Sequence, residues 1–393
     1  MSPIRSATAA ALASAVLATT LTGCQFGADE QDTSPIVIAA DLELSGAAAS
    51  AGKAYQRALE LKVEQLNSSG ALNGRNVELR VKDNRSDASE SLRNIGDFSA
   101  DSQVSALIMG GCDECAVGAV RTIDEKRIPT IALAPSSGVS SPVAERRYVF
   151  KLSPNAADSA GALAAEMRRK GVRKASVLHS DDAYGREGLT VLRAEFAKAG
   201  VKLLRAEAVR STDTEVSRQI RDVVKPKPDA LVVWTPAEQA TLAATAAKEA
   251  KFEGDLFFDA AAAGDLFLGA ASGATERTTM VFTQTMVIDD VIATTPAKAA
   301  RRQWFQSYTA RFGDYSGSSS FAADAVQLIA DAELRAGGEP GQVNRDGIRD
   351  VLETIQMDGL SGPIRITPDN HSGLMPQALT TLVARNGRWR LAG

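Results

Sequence analysis

The sequence is short of the residues that most often announce a chemistry. It has three cysteines and two histidines in 393 residues. Three cysteines cannot build a disulfide framework, and two histidines make a thin ligand set for a metal. Aromatic residues are 5% of the chain, too few to lay out a stacking platform for sugars or single strands. Neither sign of charge is in excess: 44 Lys and Arg stand against 48 Asp and Glu, a formal net charge of -4. Nucleic-acid binding usually needs a strongly basic face, so no nucleic-acid partner is expected. There is no GxxxxGK[ST] loop and no strand–GxGxxG–helix unit, so no phosphate-cradling nucleotide site is indicated. The Ala-rich run from Ala7 to Leu21 is too short and weak for a convincing membrane span. Neither a cofactor nor a metal is expected. What is present is ordinary globular composition, 44% hydrophobic and 23% charged, which excludes collagen-like and mainly disordered chains. The length suits two domains of ordinary size.

The N-terminus reads as an address. Arg5 followed by the apolar run has the form of a secretory signal. Leu21-Thr22-Gly23-Cys24 resembles the lipobox of bacterial lipoproteins. That resemblance implies cleavage before Cys24 and a diacylglycerol on its thiol. An ordinary signal peptide containing a cysteine is the alternative. Residues 1–23 are therefore expected to be a lipoprotein signal peptide and residues 24–34, polar and acidic, a flexible tether. The mature protein is expected outside the cytoplasm, lipid-anchored to the cell membrane. Cys112 and Cys115 would then sit in an oxidising compartment.

From Pro35 onward strands and helices alternate. Apolar runs such as Val104–Met109, Thr130–Ala134 and Ala230–Trp234 are continuous rather than alternating, as in parallel sheets covered on both faces. Helical spacing marks Lys53–Asn67, Ser86–Asp101, Ala116–Lys126, Ala157–Lys170, Gly188–Ala199 and Ala237–Lys251. The rhythm restarts after Ser153-Pro154. Met280–Val287 is expected as a strand leading back to the first unit. Pro296–Phe312, Phe321–Ala336 and Arg345–Gln356 are expected helices. The tail, with Gly362–Thr367, is expected as β-structure, closing in a hairpin at Asn386-Gly387. The fold class is α/β: two doubly wound parallel-sheet lobes joined by a hinge of several crossings. Residues 35–152 plus 287–360 are expected to form lobe 1, and residues 153–286 plus 361–393 lobe 2. In such sheets ligands sit beyond the carboxyl ends of the strands, so two facing edges make an interlobe cleft.

Several strings in this order are similar to those of one family. They are Leu44-Ser45-Gly46, the segment from Gln65 to Arg75, Asp83-Asn84 with Asp87, Ile128-Pro129-Thr130-Ile131, Asp181-Asp182-Ala183-Tyr184-Gly185, Ala323-Asp324-Ala325-Val326, and Gly359 with Gly362-Pro363-Ile364. Together they resemble the type 1 extracytoplasmic solute-binding proteins, in the branch of the leucine/isoleucine/valine receptors of ABC importers. The resemblance spans about Pro35 to Leu391. It implies a two-lobed receptor, monomeric and not an enzyme, that closes on a small solute, performs no chemistry on it and presents the closed form to a membrane permease.

The resemblance also implies a set of ligand contacts. Ser45 opens the first lobe's set. The loop Gly110-Gly111-Cys112-Asp113-Glu114-Cys115 places Glu114 where Ser is common, so Asp113 and Glu114 become candidates that would oppose a ligand carboxylate. Ser136 and Ser137 offer hydroxyls and backbone amides. Tyr184 matches a cleft tyrosine on the second lobe. Trp234, Thr235 and Asp259 are the remaining candidates, although the amine-binding carboxylate of amino-acid receptors aligns with Ala261. An α-amino-acid ligand is therefore not implied.

Two other readings remain open at this level. The same fold serves as a ligand-sensing receptor. Alternatively, Cys112-x-x-Cys115 at a helix start suits an extracytoplasmic thiol oxidoreductase. Against the latter, Asp113 and Glu114 would oppose a thiolate. A structural disulfide, free thiols and catalysis are all compatible with the spacing. A metal site from Cys112, Cys115 and His179 lacks a zinc signature. His371 lies in a polar turn without evident partners.

Overall fold

The computed structural model describes residues 32–392 apart from residues 211, 265–267 and 270–272; for Ala261 it describes the backbone only. The expected signal peptide, the lipidation candidate Cys24 and most of the expected tether lie outside the described residues. No helix among the described residues is long and apolar enough to cross a membrane.

The first sheet is wholly parallel. Its strands are β1 (Ile36–Leu42), β2 (Val77–Asp83), β3 (Val104–Met109), β4 (Thr130–Ala132) and β5 (Val149–Lys151), in the order β2-β1-β3-β4-β5. Every residue of β1 and of β3 is buried. The reason is cover on both faces. Ile36, Ile38 and Ala40 join the core under helix α1 (Ala49–Ser69). Val37 and Ala39 face the other way, toward α2 (Ala88–Ala100) and α3 (Asp113–Lys126). A strand buried on both faces has no polar face to alternate with, which explains the unbroken apolar runs. Each fully buried Ile or Leu contributes roughly 1.5–3 kcal/mol.

The second sheet repeats this plan. It contains β6 (Lys174–Ser180), β7 (Lys202–Val209), β8 (Ala230–Trp234), β9 (Asp255–Phe258) and β10 (Thr279–Thr283), parallel in the order β10-β9-β8-β6-β7. Two antiparallel strands, β13 (Leu379–Arg385) and β14 (Arg388–Leu391), extend it beyond β10. Val177 and Val232 pack toward α4 (Ala156–Arg169) and α5 (Ala183–Ala199). Leu178, Leu231 and Val233 pack toward α6 (Ser217–Val224) and α7 (Ala237–Glu249).

The late helices return to the first sheet. After α8 (Pro296–Phe312), α9 (Ser319–Ala336) packs on α1, β1 and β3, and α10 (Arg345–Leu352) packs on α9. The sequence FAADAVQLIADA is apolar nearly all round, and α9 is accordingly buried from Ser319 to Val326.

Some expectations need correction. Met280–Val287 is not one strand: β10 ends at Thr283, and Gln284–Asp290 is a 3₁₀ segment. Its apolar residues are buried without strand pairing, so hydrophobicity alone overstated its length. The strand expected over Gly362–Thr367 is a three-residue piece, β12 (Pro363–Arg365), which pairs with β11 (Gln356–Asp358) outside both main sheets. The helix expected to run to Gln356 ends at Leu352. The helix expected from Ala116 begins at Asp113, because the Cys112 sulfur accepts the Cys115 N–H as a cap. His371 has partners: it is buried, its Nδ1 faces the Val149 carbonyl at 3.0 Å, and its ring packs 4.3 Å from Phe150.

Candidate functional site

Each parallel sheet has a switch point where the strand order reverses direction, between β1 and β3 in the first and between β6 and β8 in the second. Ligands of doubly wound folds lie at such points, beyond the carboxyl ends of the strands. Here the chain leaving β1 carries Glu43, and the chain leaving β3 carries Gly110-Gly111-Cys112-Asp113. The chain leaving β6 carries Asp181-Asp182, and the chain leaving β8 carries Thr235-Pro236. A cavity of about 440 Å³ lies between the two sets of loops and is lined from both. A more open hollow of about 540 Å³ at Arg210, Asp213 and Arg218 lies elsewhere. Its two arginines are paired with neighbouring carboxylates, Arg210 with Asp213 and Arg218 with Asp222 along its own helix, so it reads as a solvated face.

Three of the sequence candidates line the cavity: Asp113, Glu114 and Tyr184. Asp113 is buried at the first turn of α3, and its Oδ1 accepts the Ser136 N–H at 2.7 Å. Burial pushes its carboxyl up to about 7; the Ser136 N–H and the Lys151 ammonium oppose this, while Glu187 and Asp182 add to it. Glu114, the next residue, is exposed to the cleft. Tyr184 is half-buried, and its ring lies 5.9 Å from that of Trp234.

The other six candidates stand outside the lining. Ser45 is exposed, and its hydroxyl donates to Asp83 Oδ2 at 2.6 Å, which fixes the loop after β1 instead of a ligand. Trp234 and Thr235 are buried at the end of β8, where the Thr235 hydroxyl donates to the Pro236 carbonyl. Trp234 backs Tyr184 rather than facing the cavity, and α5 lies so close that a Cβ on Gly188 would meet its indole at 2.4 Å. Asp259 is buried beyond β9 and does not line the cavity. Ser136 and Ser137 sit in the expected loop, but both backbone N–H groups and the Ser136 hydroxyl are already engaged. The Ser136 hydroxyl donates to Glu187 Oε2 at 2.9 Å, and the Ser137 N–H lies 3.0 and 3.2 Å from the two Glu187 oxygens. Glu187 belongs to α5, so this contact spans the cleft.

Cys112 and Cys115 form a disulfide with a Cα separation of 5.2 Å. It closes the loop that carries Asp113 and Glu114. Cys115 is buried, and Cys112 lines the cavity. Among the described residues no group of three His, Cys, Asp or Glu could hold a metal ion. The His179 ring contacts the Ser180 carbonyl at 2.8 Å.

Sequence reasoning missed the charged residues behind the loops. Glu43 is fully buried one residue past β1, and its carboxylate accepts the N–H groups of Gly111 at 3.1 Å and Cys112 at 3.0 Å. Burial raises its carboxyl, against the pull of those two donors. A Cβ at position 110 would sit 2.2 Å from Glu43 Oε2, so any larger residue there would push the carboxylate off its donors. Lys151 ends β5, fully buried, and its ammonium donates to the carbonyls of Ser153 at 3.1 Å, Pro135 at 3.2 Å and Pro154 at 3.3 Å. Burial lowers the Lys151 ammonium to about 8; the nearby charges of Asp113, Glu187 and Asp158 hold it from falling further. The one sequence signal was a charge inside an apolar run, in IVIAADLEL and in YVFKLSP.

The geometry agrees with what comparison finds. A family model described as periplasmic binding protein matches residues 35–388. None of the curated proteins compared with the chain matches it. Among solved structures, an extracellular ligand-binding receptor from Rhodopseudomonas palustris HaA2 is similar, with a TM-score of 0.84 and 23% identity over 91% of this chain and 99% of that one. A solute binding protein of an ABC transporter from Rhodopseudomonas palustris BisB5, in complex with 3,4-dihydroxybenzoic acid, has a TM-score of 0.78 and 18% identity over 91% of this chain and 95% of that one. The branched-chain amino acid transporter substrate binding protein LivJ from Streptococcus pneumoniae, in complex with isoleucine, has a TM-score of 0.78 and 19% identity over 91% of this chain and 98% of that one. Two parallel-sheet lobes with their switch points on one cavity, and a family match over nearly all the described residues, lead to one conclusion: the chain belongs to the periplasmic binding proteins, with the type 1 solute-binding fold.

Proposed function

We propose that the protein is the lipid-anchored, extracytoplasmic solute receptor of an ABC importer. It closes as a monomer on a small polar solute, an amino-acid-like molecule, an amide or an amine, and delivers it to a membrane permease. The observation that carries this reading is the cavity of about 440 Å³ between the switch points of both sheets. A volume of that size suits a small molecule, and it is lined from both lobes, so binding and closure are coupled. Asp113, Glu114 and Tyr184 are the proposed ligand contacts. The lobes are residues 35–152 plus 287–360 and residues 153–286 plus 361–393, hinged where the chain crosses between them. Cys24 is the proposed anchor, and the Cys112–Cys115 disulfide is structural.

The test is a thermal-unfolding screen against amino acids, amides, amines, sugars and aromatic acids, followed by small-angle X-ray scattering. A true ligand at 100 times its dissociation constant stabilises by about 2.7 kcal/mol. The same ligand is expected to leave the protein monomeric and lower its radius of gyration. A panel in which no solute raises the midpoint refutes the receptor reading. Lipid labelling that survives Cys24→Ala refutes the anchor.

A further inference from the structure

Resting on that solute-binding reading, we propose that the cleft takes an organic cation that carries no carboxylate: a primary amine, an amidine or a guanidine. Two independent features of the cavity point to this class.

The first is that the donors beyond β3 and β4, which would suit an anionic ligand, already hold carboxylates of the protein. Backbone N–H groups at the ends of parallel strands are natural receivers for a carboxylate. At the end of β3, the N–H groups of Gly111 and Cys112 hold Glu43. At the end of β4, the Ser136 N–H holds Asp113, and the Ser136 hydroxyl and Ser137 N–H hold Glu187. Three side-chain carboxylates of the protein thus fill strand-end donors, Glu43 and Asp113 from the cavity wall and Glu187 from just outside it. The Glu43 seat is permanent: the residue is buried, and Gly110 leaves it the room a Cβ would fill. At these strand ends a ligand anion would have to displace a protein carboxylate and then remain beside it.

The second feature is the charge of the wall. Six carboxylate residues line the cavity: Glu43, Asp113, Glu114, Asp181, Asp182 and Glu238. No Lys, Arg or His lines it among the described residues. The buried cation Lys151, which ends β5, points its ammonium at three carbonyls. Carboxylates gathered around a partly dry cavity repel one another, and an entering cation relieves that repulsion. A neutral amide could hydrogen-bond here but would relieve none of it. The rings of Tyr55, Tyr184, Phe282 and Phe321 also line the cavity. Aromatic faces among carboxylates suit a cation on a hydrocarbon stem, through cation–π contact at the head and apolar contact along the stem.

The experiment is isothermal titration of the full chain at low ionic strength with five probes: putrescine, agmatine, acetamide, isoleucine and 3,4-dihydroxybenzoate. Putrescine or agmatine is expected to bind at one site, at least 100-fold tighter than the other three. Its affinity is expected to fall as salt is raised, because the charges are partly exposed. Glu114 is exposed, so Glu114→Gln is expected to fold normally, checked by its circular-dichroism midpoint, and to weaken the cation about tenfold. Tighter binding of isoleucine, acetamide or 3,4-dihydroxybenzoate than of either cation overturns the assigned class and leaves the receptor reading standing. Failure of both cations to bind also overturns it. The receptor reading then stands or falls separately on the wider solute screen.

Discussion

Replacing Asp113 with Asn is expected to make the ligand-free protein more stable at pH 8, although it alters a cavity wall. The carboxyl is buried, and its folded value is pushed up from 3.8 to about 7. The sign follows from linkage. Between about pH 4 and 7 the folded state keeps a proton that the unfolded chain has lost, so stability falls as pH rises through that window. At about 1.4 kcal/mol per unit, the full shift corresponds to roughly 4 kcal/mol. Relaxation of the cleft and entry of water reduce this, so the expected gain for Asp113→Asn at pH 8 is ~2 kcal/mol. Asn retains an acceptor for the Ser136 N–H, which now lies 2.7 Å from Oδ1. For a body of this size that gain is a rise in Tm of roughly 2–3 °C. At pH 4.5 the two proteins are expected to unfold alike. Lys151 acts at the other end of the scale: its folded value is lowered from 10.5 to about 8, so its contribution improves as pH rises from about 8 toward 10.5. The two groups together place a stability minimum between pH 7 and 8. The assay is calorimetric unfolding of both proteins from pH 4.5 to 9. A variant less stable than the parent at pH 8, or a parent whose stability does not fall between pH 5 and 7, refutes the reasoning.

Lys151→Met leaves three buried carbonyls without their donor but also relieves the burial of a charge, so it is expected to cost about 1–3 kcal/mol by urea unfolding. A cost below 1 kcal/mol would show that the ammonium is dispensable. Glu187→Ala deletes the contacts from α5 to Ser136 and Ser137 and is expected to cost about 1–2 kcal/mol. Its ligand-free radius of gyration is expected to rise, because that contact holds the cleft together; an unchanged scattering curve contradicts this. The double variant Cys112→Ser, Cys115→Ser opens a loop of sequence separation 3 and is expected to lose about 2 kcal/mol while keeping ligand binding. Complete loss of binding at a temperature where the variant is folded would assign the disulfide a direct part in the site.

The architecture was legible because burial on both faces of a sheet leaves a mark on sequence. IVIAADL and ALVVW read as parallel strands, and both are buried throughout. The same signal misled at Met280–Val287, where the apolar run continues past the last strand pair at Thr283 into a buried 3₁₀ segment. The site was legible as a set of loops and not as a set of contacts. Asp182 in its turn and the serines after β4 were found by pattern, but what they face depends on distant residues. Glu187 reads locally as a charge in the first turns of an amphipathic helix. Its partners are Ser136 and Ser137, about fifty residues earlier in the other lobe. Lys151 is the last residue of a buried strand and reads as a strand end reaching for solvent. Its burial depends on the carbonyls of Pro135, Ser153 and Pro154 converging on it, which no local pattern encodes.

The three carboxylates that occupy the strand-end donors differ in how firmly they are held, and the difference couples ligand charge to closure. Glu43 and Asp113 come from the lobe whose donors they fill, and both are buried, so opening the cleft leaves them in place. Glu187 comes from the opposite lobe and is only half-buried, so its bonds to Ser136 and Ser137 exist only while the lobes are together. A solute with a carboxylate would compete with Glu187 for those donors and so work against the closed form. A cationic solute leaves the bridge intact and adds its own attraction to carboxylates on both sides, Glu114 on one and Asp182 on the other. The closed form then gains from the ligand what an anion would take from it, and charge selection becomes a consequence of closing.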